Sequence, residues 1–368
     1  MLIDTTLREG EQLYAAYFTW EEKAAMLEGL AVLGAEEIEV GYAGQEGLRR
    51  LLRLARRTAP GARLSVWCPC RAQDALLALD CGADVVHMGL PASDRHRDSR
   101  LHLTRGDLLR RLEEVLRRLE DHGQATLSLG LEDVASADPD YSLALAREAR
   151  NMGVSRVRLA DTLGSLTPTD MAGLMRRFRA ELDCAVAVHC HNDFGMATAN
   201  AVTALLSGAD QADASLLGIG ERAGVAALEE LAAWLSLRAP ERLRRRYDLS
   251  ILPGLCGLVS RVADVAVPRT KAVVGRDIFA VESGLHAHGI GRDPSLFEPY
   301  APEVVSARRV LALGKKSGRA AVRQGLSRLG LPLSEERLPW LVDMVRRKAE
   351  GLGRPLSDEE FALLAEAR

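Results

Sequence analysis

The sequence is short of several features that would assign it elsewhere. Its formal net charge is only −3, from 48 Lys and Arg against 51 Asp and Glu, so there is no electrostatic footprint for nucleic acid. The arginine clusters that do occur, Arg110-Arg111, Arg117-Arg118 and Arg244-Arg245-Arg246, are interleaved with Leu and Glu, the pattern of solvated helix faces. Six cysteines lie scattered with no Cys-x-x-Cys pair, the closest spacing being Cys68-Pro69-Cys70. Reduced thiols fit that scatter better than a disulfide framework. No apolar run is long enough to span a bilayer, and strand-like sequence begins at Leu2-Ile3-Asp4, leaving no room for a signal peptide. The expectation is a soluble, cytoplasmic protein with neither a membrane nor a nucleic-acid partner. There are no internal repeats and no low-complexity tracts. A phosphate-binding glycine loop after the first strand is also missing: Thr5-Thr6-Leu7-Arg8-Glu9-Gly10 stands there instead. Gly218-Ile219-Gly220 is followed by Gly224 and misses the dinucleotide spacing, which weighs against a doubly wound sheet.

What is present is an alternation. Strand-like runs at 2–5, 36–40, 63–68, 85–90, 125–131, 155–159, 185–191 and 211–217 are separated by Leu/Ala/Arg segments of helical period, such as 21–33, 108–122, 141–152 and 169–182. Gly34, Gly82, Gly123, Gly153 and Gly208 each follow such a segment, where a left-handed cap favours glycine. Eight strand–helix pairs predict an α/β protein built on a (β/α)8 TIM barrel. The predicted division is a barrel over 1–250, a subdomain over 251–330 and a small helical piece over 331–368, the last two forming a mainly helical C-terminal region. Helical stretches there are expected at 255–265, 334–348 and 357–367. Ser357 with Glu360 makes a capping box, whereas Ser334 has Arg337 at the third position.

The stretch His189-Cys190-His191-Asn192-Asp193 ends the apolar run Ala185-Val186-Ala187-Val188. Side chains two apart on a strand share a face, so His189 and His191 stand side by side. They are half of a metal site or a pair of hydrogen-bonded core histidines. In a barrel of this kind chemistry collects at the C-terminal ends of the strands, and the end of the first strand offers Arg8-Glu9. Alone these two read as a surface ion pair. Opposite the histidines, Glu9 completes a two-imidazole, one-carboxylate set that leaves positions open on a divalent ion.

Three blocks carry a resemblance: Leu7-Arg8-Glu9-Gly10-Glu11-Gln12, His189-Cys190-His191-Asn192-Asp193-Phe194-Gly195 and Gly218-Ile219-Gly220-Glu221-Arg222-Ala223-Gly224. They resemble the signature blocks of the metal-dependent acyl-CoA condensing enzymes, which include homocitrate, 2-isopropylmalate, citramalate and Re-type citrate synthases. Ala160-Asp161-Thr162-Leu163-Gly164, Glu282-Ser283-Gly284-Leu285-His286 and Gly314-Lys315-Lys316-Ser317-Gly318-Arg319 extend the similarity toward homocitrate synthases of the nitrogenase-cofactor type. The resemblance implies condensation of acetyl-CoA, as co-substrate, with a 2-oxo acid, followed by thioester hydrolysis. The cofactor implied is a divalent cation (Mg, Mn, Zn or Co) on Glu9, His189 and His191. Arg8, Gln12 and Thr162 would bind the oxo acid, and Arg8, Glu132 and His286 would be catalytic. It further implies a homodimer in which His286 serves the partner's barrel.

Two departures are visible. Val225 stands where the family usually has Asn after Glu-Arg-Ala-Gly, and Ser128 and Gly130 occupy strand-five positions where lysine-pathway homocitrate synthases place Arg and Ser for the far carboxylate of 2-oxoglutarate. Arg71 is a candidate replacement, or a solvated arginine, and Tyr14 and Tyr42 are candidates to reshape the rim. The oxo acid therefore stays open among 2-oxoglutarate, oxaloacetate, pyruvate and 2-oxoisovalerate. A cleaving lyase and a non-catalytic metabolite-binding paralogue are the rival readings. Lyases of this kind carry a cysteine in the strand-eight loop, and 218–224 has none.

Overall fold

The computed structural model describes residues 1–120, 125–332 and 334–367, with only the backbone of Leu285, Ala287, His288 and Gly291. The predicted Gly123 cap, and the 121–122 end of the predicted 108–122 helix, lie outside the described residues. The chain divides into two compact units, Met1–Val267 and Pro268–Arg368.

In the first unit eight parallel strands close in sequence order: β1 (Leu2–Asp4), β2 (Glu37–Tyr42), β3 (Arg63–Pro69), β4 (Val85–Pro91), β5 (Thr126–Glu132), β6 (Arg156–Asp161), β7 (Ala185–Cys190) and β8 (Gln211–Ala214). β1 pairs with both β2 and β8, aligning Ile3 with Glu37 and with Asp213. That closure excludes the doubly wound alternative. The helices around it are α1 (Trp20–Leu33), α2 (Leu48–Thr58), α3 (Ala72–Cys81), α4 (Asp94–Leu101), α5 (Arg105–Leu119), α6 (Pro139–Asn151), α7 (Pro168–Glu181), α8 (Ala197–Leu206), α9 (Leu228–Leu237) and α10 (Leu252–Val262). Thr19, Thr104 and Thr167 open α1, α5 and α7 with reciprocal capping boxes, each satisfying first-turn N–H groups that have no intrahelical partner. The last expected barrel helix falls at α9, while α10 begins and ends three residues before the predicted 255–265. β8 stops at Ala214, and the predicted continuation to 217 is instead a tight turn in which Leu217 has φ 59°.

The strands are apolar toward the helices: Ile38, Val86, Met88, Leu129, Val157, Leu159, Val186 and Val188 are fully buried. Toward the axis they are charged. β2 and β6 lie four strands apart in the ring, so their inward residues face each other across it. Arg156 donates two bonds to the Glu37 carboxylate (2.8 and 2.9 Å), one to Gln211 Oε1 (2.9 Å) and one to Ser128 Oγ (2.8 Å). Arg158 donates to Glu39 Oε2 (2.9 and 3.0 Å) and pairs with Asp213 (2.8 Å). Arg156 and Arg158 are among the largest fully buried side chains in the chain. Charges so deep are tolerated only when paired and hydrogen-bonded.

In the second unit β9 (Ala280–Val281) and β10 (Val310–Leu311) form a two-stranded parallel sheet with α11 (Gly284–Arg292), α12 (Arg319–Arg328), α13 (Leu338–Leu352) and α14 (Asp358–Glu366). Its apolar core gathers Leu313, Val322, Leu326, Val345 and Phe361. Glu282 accepts the Lys316 N–H at 2.9 Å and so ties the motif before α11 to the one before α12. Ser357 caps α14 with the expected box. Ser334 does not open the next-to-last helix: α13 starts at Leu338, and the Ser334 hydroxyl accepts only the Arg337 N–H, at 3.4 Å, in the turn before it.

Arg156→Met strands Glu37 in the barrel interior and is expected to cost about 3–5 kcal/mol. Loss of the exposed Arg56–Asp84 pair should cost under about 1 kcal/mol. Urea titrations followed by circular dichroism measure both, and adding Glu37→Leu to Arg156→Met should recover much of the first loss.

Candidate metal centre and active site

Glu9, His189 and His191 converge at the C-terminal mouth of the barrel. Each offers a ligand atom, and these atoms all lie within 4.8 Å of one another. His189 Nε2 is 3.3 Å from His191 Nε2 and 4.0 Å from Glu9 Oε2. All three residues are buried, at 2% exposure for Glu9 and 6% for each histidine. β7 sets the histidines on one face, their rings edge to face with centroids 5.0 Å apart. Glu9 sits in the turn after β1, where the Arg8, Glu9 and Gly10 N–H groups all bond the Thr5 carbonyl.

The surroundings prepare these groups to bind a cation. His189 Nδ1 lies 2.8 Å from Asp213 Oδ2; the carboxylate can only accept, so Nδ1 carries a proton and Nε2 is the nitrogen turned to the cluster. Burial lowers His191, with His189 adding to the effect, to a pKa of about 3, so this imidazole is neutral. Its Nδ1 is buried and has no hydrogen-bond partner among the described residues. Burial opposes the charge on Glu9, but the Arg8 guanidinium outweighs it and holds the carboxyl below its usual range. A neutral imidazole, a second imidazole oriented by Asp213 and an ionised carboxylate, with ligand atoms within 4.8 Å of one another, fit a divalent cation.

Arg8 is held just as firmly. Its Nε donates to Glu39 (2.5 Å), and one terminal nitrogen reaches Glu9 and Gln12 Oε1 (3.3 Å). Glu39 in turn binds Arg158, Arg158 binds Asp213, and Asp213 binds His189. A single alternating chain of carboxylates and guanidiniums therefore runs from Arg8 beneath the mouth to the histidine.

The turn after β8 closes this side. Gly224 has φ 82°, and a Cβ there would fall 1.9 Å from the Gly218 carbonyl oxygen, so only glycine allows the loop to double back. The fold this produces delivers the Glu221 N–H to Glu9 Oε1 at 3.2 Å. Glycines that miss a dinucleotide spacing thus serve to position a carboxylate. Val225 is buried, and its backbone bridges to His191; it brings no polar side chain to the orphaned His191 Nδ1.

A hollow of about 440 Å³ opens over the cluster and includes Arg8, Gln12, Thr162 and Glu132 in its lining. Thr162 Oγ1 accepts the Asp133 N–H at 2.8 Å, and Glu132 is paired with Arg100 at 2.5 Å. His286 belongs to the second unit, exposed on α11 with its ring edge to Phe297, centroids 4.5 Å apart. Arg71 lines a neighbouring hollow and bonds Asp74, and neither Tyr14 nor Tyr42 is among the residues lining the site.

The sequence reading missed His87, Arg100, Arg158, Glu39 and Asp213. A signal was present for three of them. Glu37/Glu39, Arg156/Arg158 and Gln211/Asp213 repeat at period two inside apolar strands, which marks one polar face per strand. Arg100 arrives on α4, an extra helix that the strand–helix alternation did not predict.

Comparison with known proteins agrees with this geometry. Residues 1–259 match the HMGL-like family and residues 273–351 match the homocitrate synthase post-HMGL domain-like family. The chain belongs to the HMGL-like family. Within it, the match to the second region places the chain in the metal-dependent acyl-CoA condensing branch. This HMGL-like chain is 39% identical over 328 residues to a homocitrate synthase of Frankia alni, covering 89% of itself and 93% of that protein. It is 35% identical over 371 residues to a probable 2-isopropylmalate synthase of Ignicoccus hospitalis, covering 99% and 91%. Hydroxymethylglutaryl-CoA lyase from Pseudomonas aeruginosa shares its fold, with a TM-score of 0.64 at 22% identity over 74% of this chain and 95% of that one.

Asp213→Asn leaves the three cluster residues in place but weakens the grip on His189, and should lower divalent-metal affinity about 10- to 100-fold. Calorimetric titration of chelator-treated protein with Mn²⁺ or Zn²⁺ measures it. His87, buried with Arg158 nearby, is held well below its ordinary pKa, chiefly by desolvation. The unfolded chain takes up that proton near pH 6.5 and the folded chain does not, so stability should fall as pH drops below about 6.5. His87→Asn should flatten part of that slope in urea midpoints measured between pH 5 and 7.5.

Proposed function

We propose that this protein condenses acetyl-CoA with a 2-oxo acid and hydrolyses the resulting thioester, with 2-oxoglutarate as the oxo acid and homocitrate as the product. The observation that carries this reading is the convergence of Glu9, His189 and His191 beside a buried, fully charged Arg8. Glu9, His189 and His191 would hold a divalent cation, which would supply the Lewis acidity that makes the oxo acid's keto carbon electrophilic.

The chain's own residues supply the rest. Arg8 donates to the keto oxygen as it gains negative charge, and its fixed bonds to Glu39 and Glu9 mean little reorganisation is needed then. Thr162 and Gln12 hold the oxo acid's carboxylate end. A base removes a proton from the acetyl methyl group, the methyl carbon bonds to the keto carbon, and the keto oxygen takes up a proton to become the tertiary hydroxyl. Water then displaces CoA from the thioester. His286 and Glu132 are the candidate bases for the methyl proton. We assign His286 to the barrel of a second copy in a cytoplasmic homodimer.

Homocitrate formation is favoured by the family match over residues 273–351 and by the Frankia alni relative, and the nitrogenase-cofactor type rests on the resemblance of the motifs at 160–164, 282–286 and 314–319. Oxaloacetate is the second reading, because one methylene separates the two diacids and such a difference is worth only about 1–3 kcal/mol.

The deciding experiment is a free-CoA assay with 2-oxoglutarate, oxaloacetate, pyruvate and 2-oxoisovalerate, each with Mg²⁺, Mn²⁺, Zn²⁺ or Co²⁺. Metal-dependent CoA release, with 2-oxoglutarate giving the highest kcat/KM, is expected. Arg8→Lys should lower kcat about 100-fold or more. No CoA release with any acid and any metal would overturn the reading.

A further inference from the structure

The floor of the hollow over the cluster is built from β3, β4 and β5. Trp67, His87 and Gly130 line it, and Gly130 is one of the two departures on strand five noted in the sequence. Gly130 offers no side chain, and the space a side chain would use is taken: a Cβ built there would lie 2.7 Å from His87 Cε1 and Nε2. The imidazole of β4 lies over the glycine of β5. Ser128, the second departing position, is fully buried beneath the hollow and does not line it.

Ser128 decides which nitrogen of His87 carries the proton. Its hydroxyl oxygen accepts the Arg156 Nε–H at 2.8 Å and lies 2.9 Å from His87 Nδ1. If Nδ1 carried the hydrogen, two donors would point at one hydroxyl and the serine's own proton would be buried without an acceptor, a costly arrangement. The satisfied alternative has Ser128 donating to Nδ1, which leaves the proton on Nε2. Among the described residues no group accepts from Nε2, and the ring borders the hollow. The cations that also line the hollow are engaged: Arg8 with Glu39 and Glu9, Arg158 with Glu39 and Asp213, Arg100 with Glu132 and Arg222 with Asp193.

Resting on the condensation reading above, we infer that His87 is a specificity-determining residue whose Nε2–H donates to an oxygen at the far end of the oxo acid. The preferred substrates are then 2-oxo acids with a terminal acceptor, a carboxylate above all, and the branched hydrocarbon acids are disfavoured. Gly130 makes room for the ring, Ser128 and Arg156 fix its tautomer, and Trp67 walls the opposite side. The selectivity rests on one neutral donor rather than on an arginine clamp. It should therefore be modest, about tenfold.

The test compares chain-matched pairs, 2-oxoglutarate with 2-oxohexanoate and oxaloacetate with 2-oxovalerate. Each is measured by CoA release and, without acetyl-CoA, by calorimetric binding to metal-loaded protein. Wild type should favour the acceptor-bearing member of each pair. His87→Leu should reduce that ratio about tenfold, mainly through KM, and His87→Gln, whose amide N–H reaches the Nε2 position, should restore part of it. Equal losses for both members of a pair, or a wild-type preference for the aliphatic member, would overturn the inference. Should His87→Leu fail to fold, His87→Gln and the wild-type ratios still decide it. If no acid released CoA, the condensation reading would fall. The calorimetric preference would still stand or fall separately.

Discussion

The structure depends on opposite charges alternating through the inside of a closed barrel. Starting at Arg8, the sequence of contacts is Arg8 to Glu39, Glu39 to Arg158, Arg158 to Asp213 and Asp213 to His189. Each of these groups alone would be expensive to bury. Together they neutralise one another and leave little freedom to move. Beneath them, Arg156 with Glu37, Gln211 and Ser128 does the same for the lower layer. An apolar filling would pack at least as well. What the ionic filling provides is direction: Arg8 and His189 above it are each held by a fixed partner.

That direction is what the mouth of the barrel uses. Asp213 fixes the proton of His189 on Nδ1, burial keeps His191 neutral, and Arg8 keeps Glu9 ionised despite its burial. Two of the three groups are therefore set to the protonation states that bind a cation, and the third is oriented for it. Arg8 serves twice, as a partner that holds Glu9 charged and as a donor beside the space the cation would share with substrate. A change at Glu39 or Asp213 touches no reacting atom, yet it reaches the site through one or two bonds.

Selectivity belongs to the same network at its other end. His87 meets it through Ser128, which also receives Arg156. The lower layer thus reaches the floor of the hollow and the upper layer reaches the metal cluster. One polar interior governs both how the oxo acid's reactive end is gripped and what its far end meets.

The sequence by itself determined the element order, the barrel and the convergence of Glu9, His189 and His191. Those follow from local rules: strand and helix periods, glycine and threonine caps, and the habit of barrel chemistry to gather at strand ends. It also marked Ser128, Gly130 and Val225 as departures, without showing what replaced them. Tertiary structure decided the rest. That Glu37 and Glu39 meet Arg156 and Arg158 depends on β2 and β6 standing opposite across a closed ring, 119 residues apart in the chain, and no local signal encodes that pairing. The direction of the His87 proton likewise depends on what Ser128 receives from a third strand. Charge placement along a strand is a local property, but the protonation state and orientation of a buried group are set by neighbours that only the closed fold supplies.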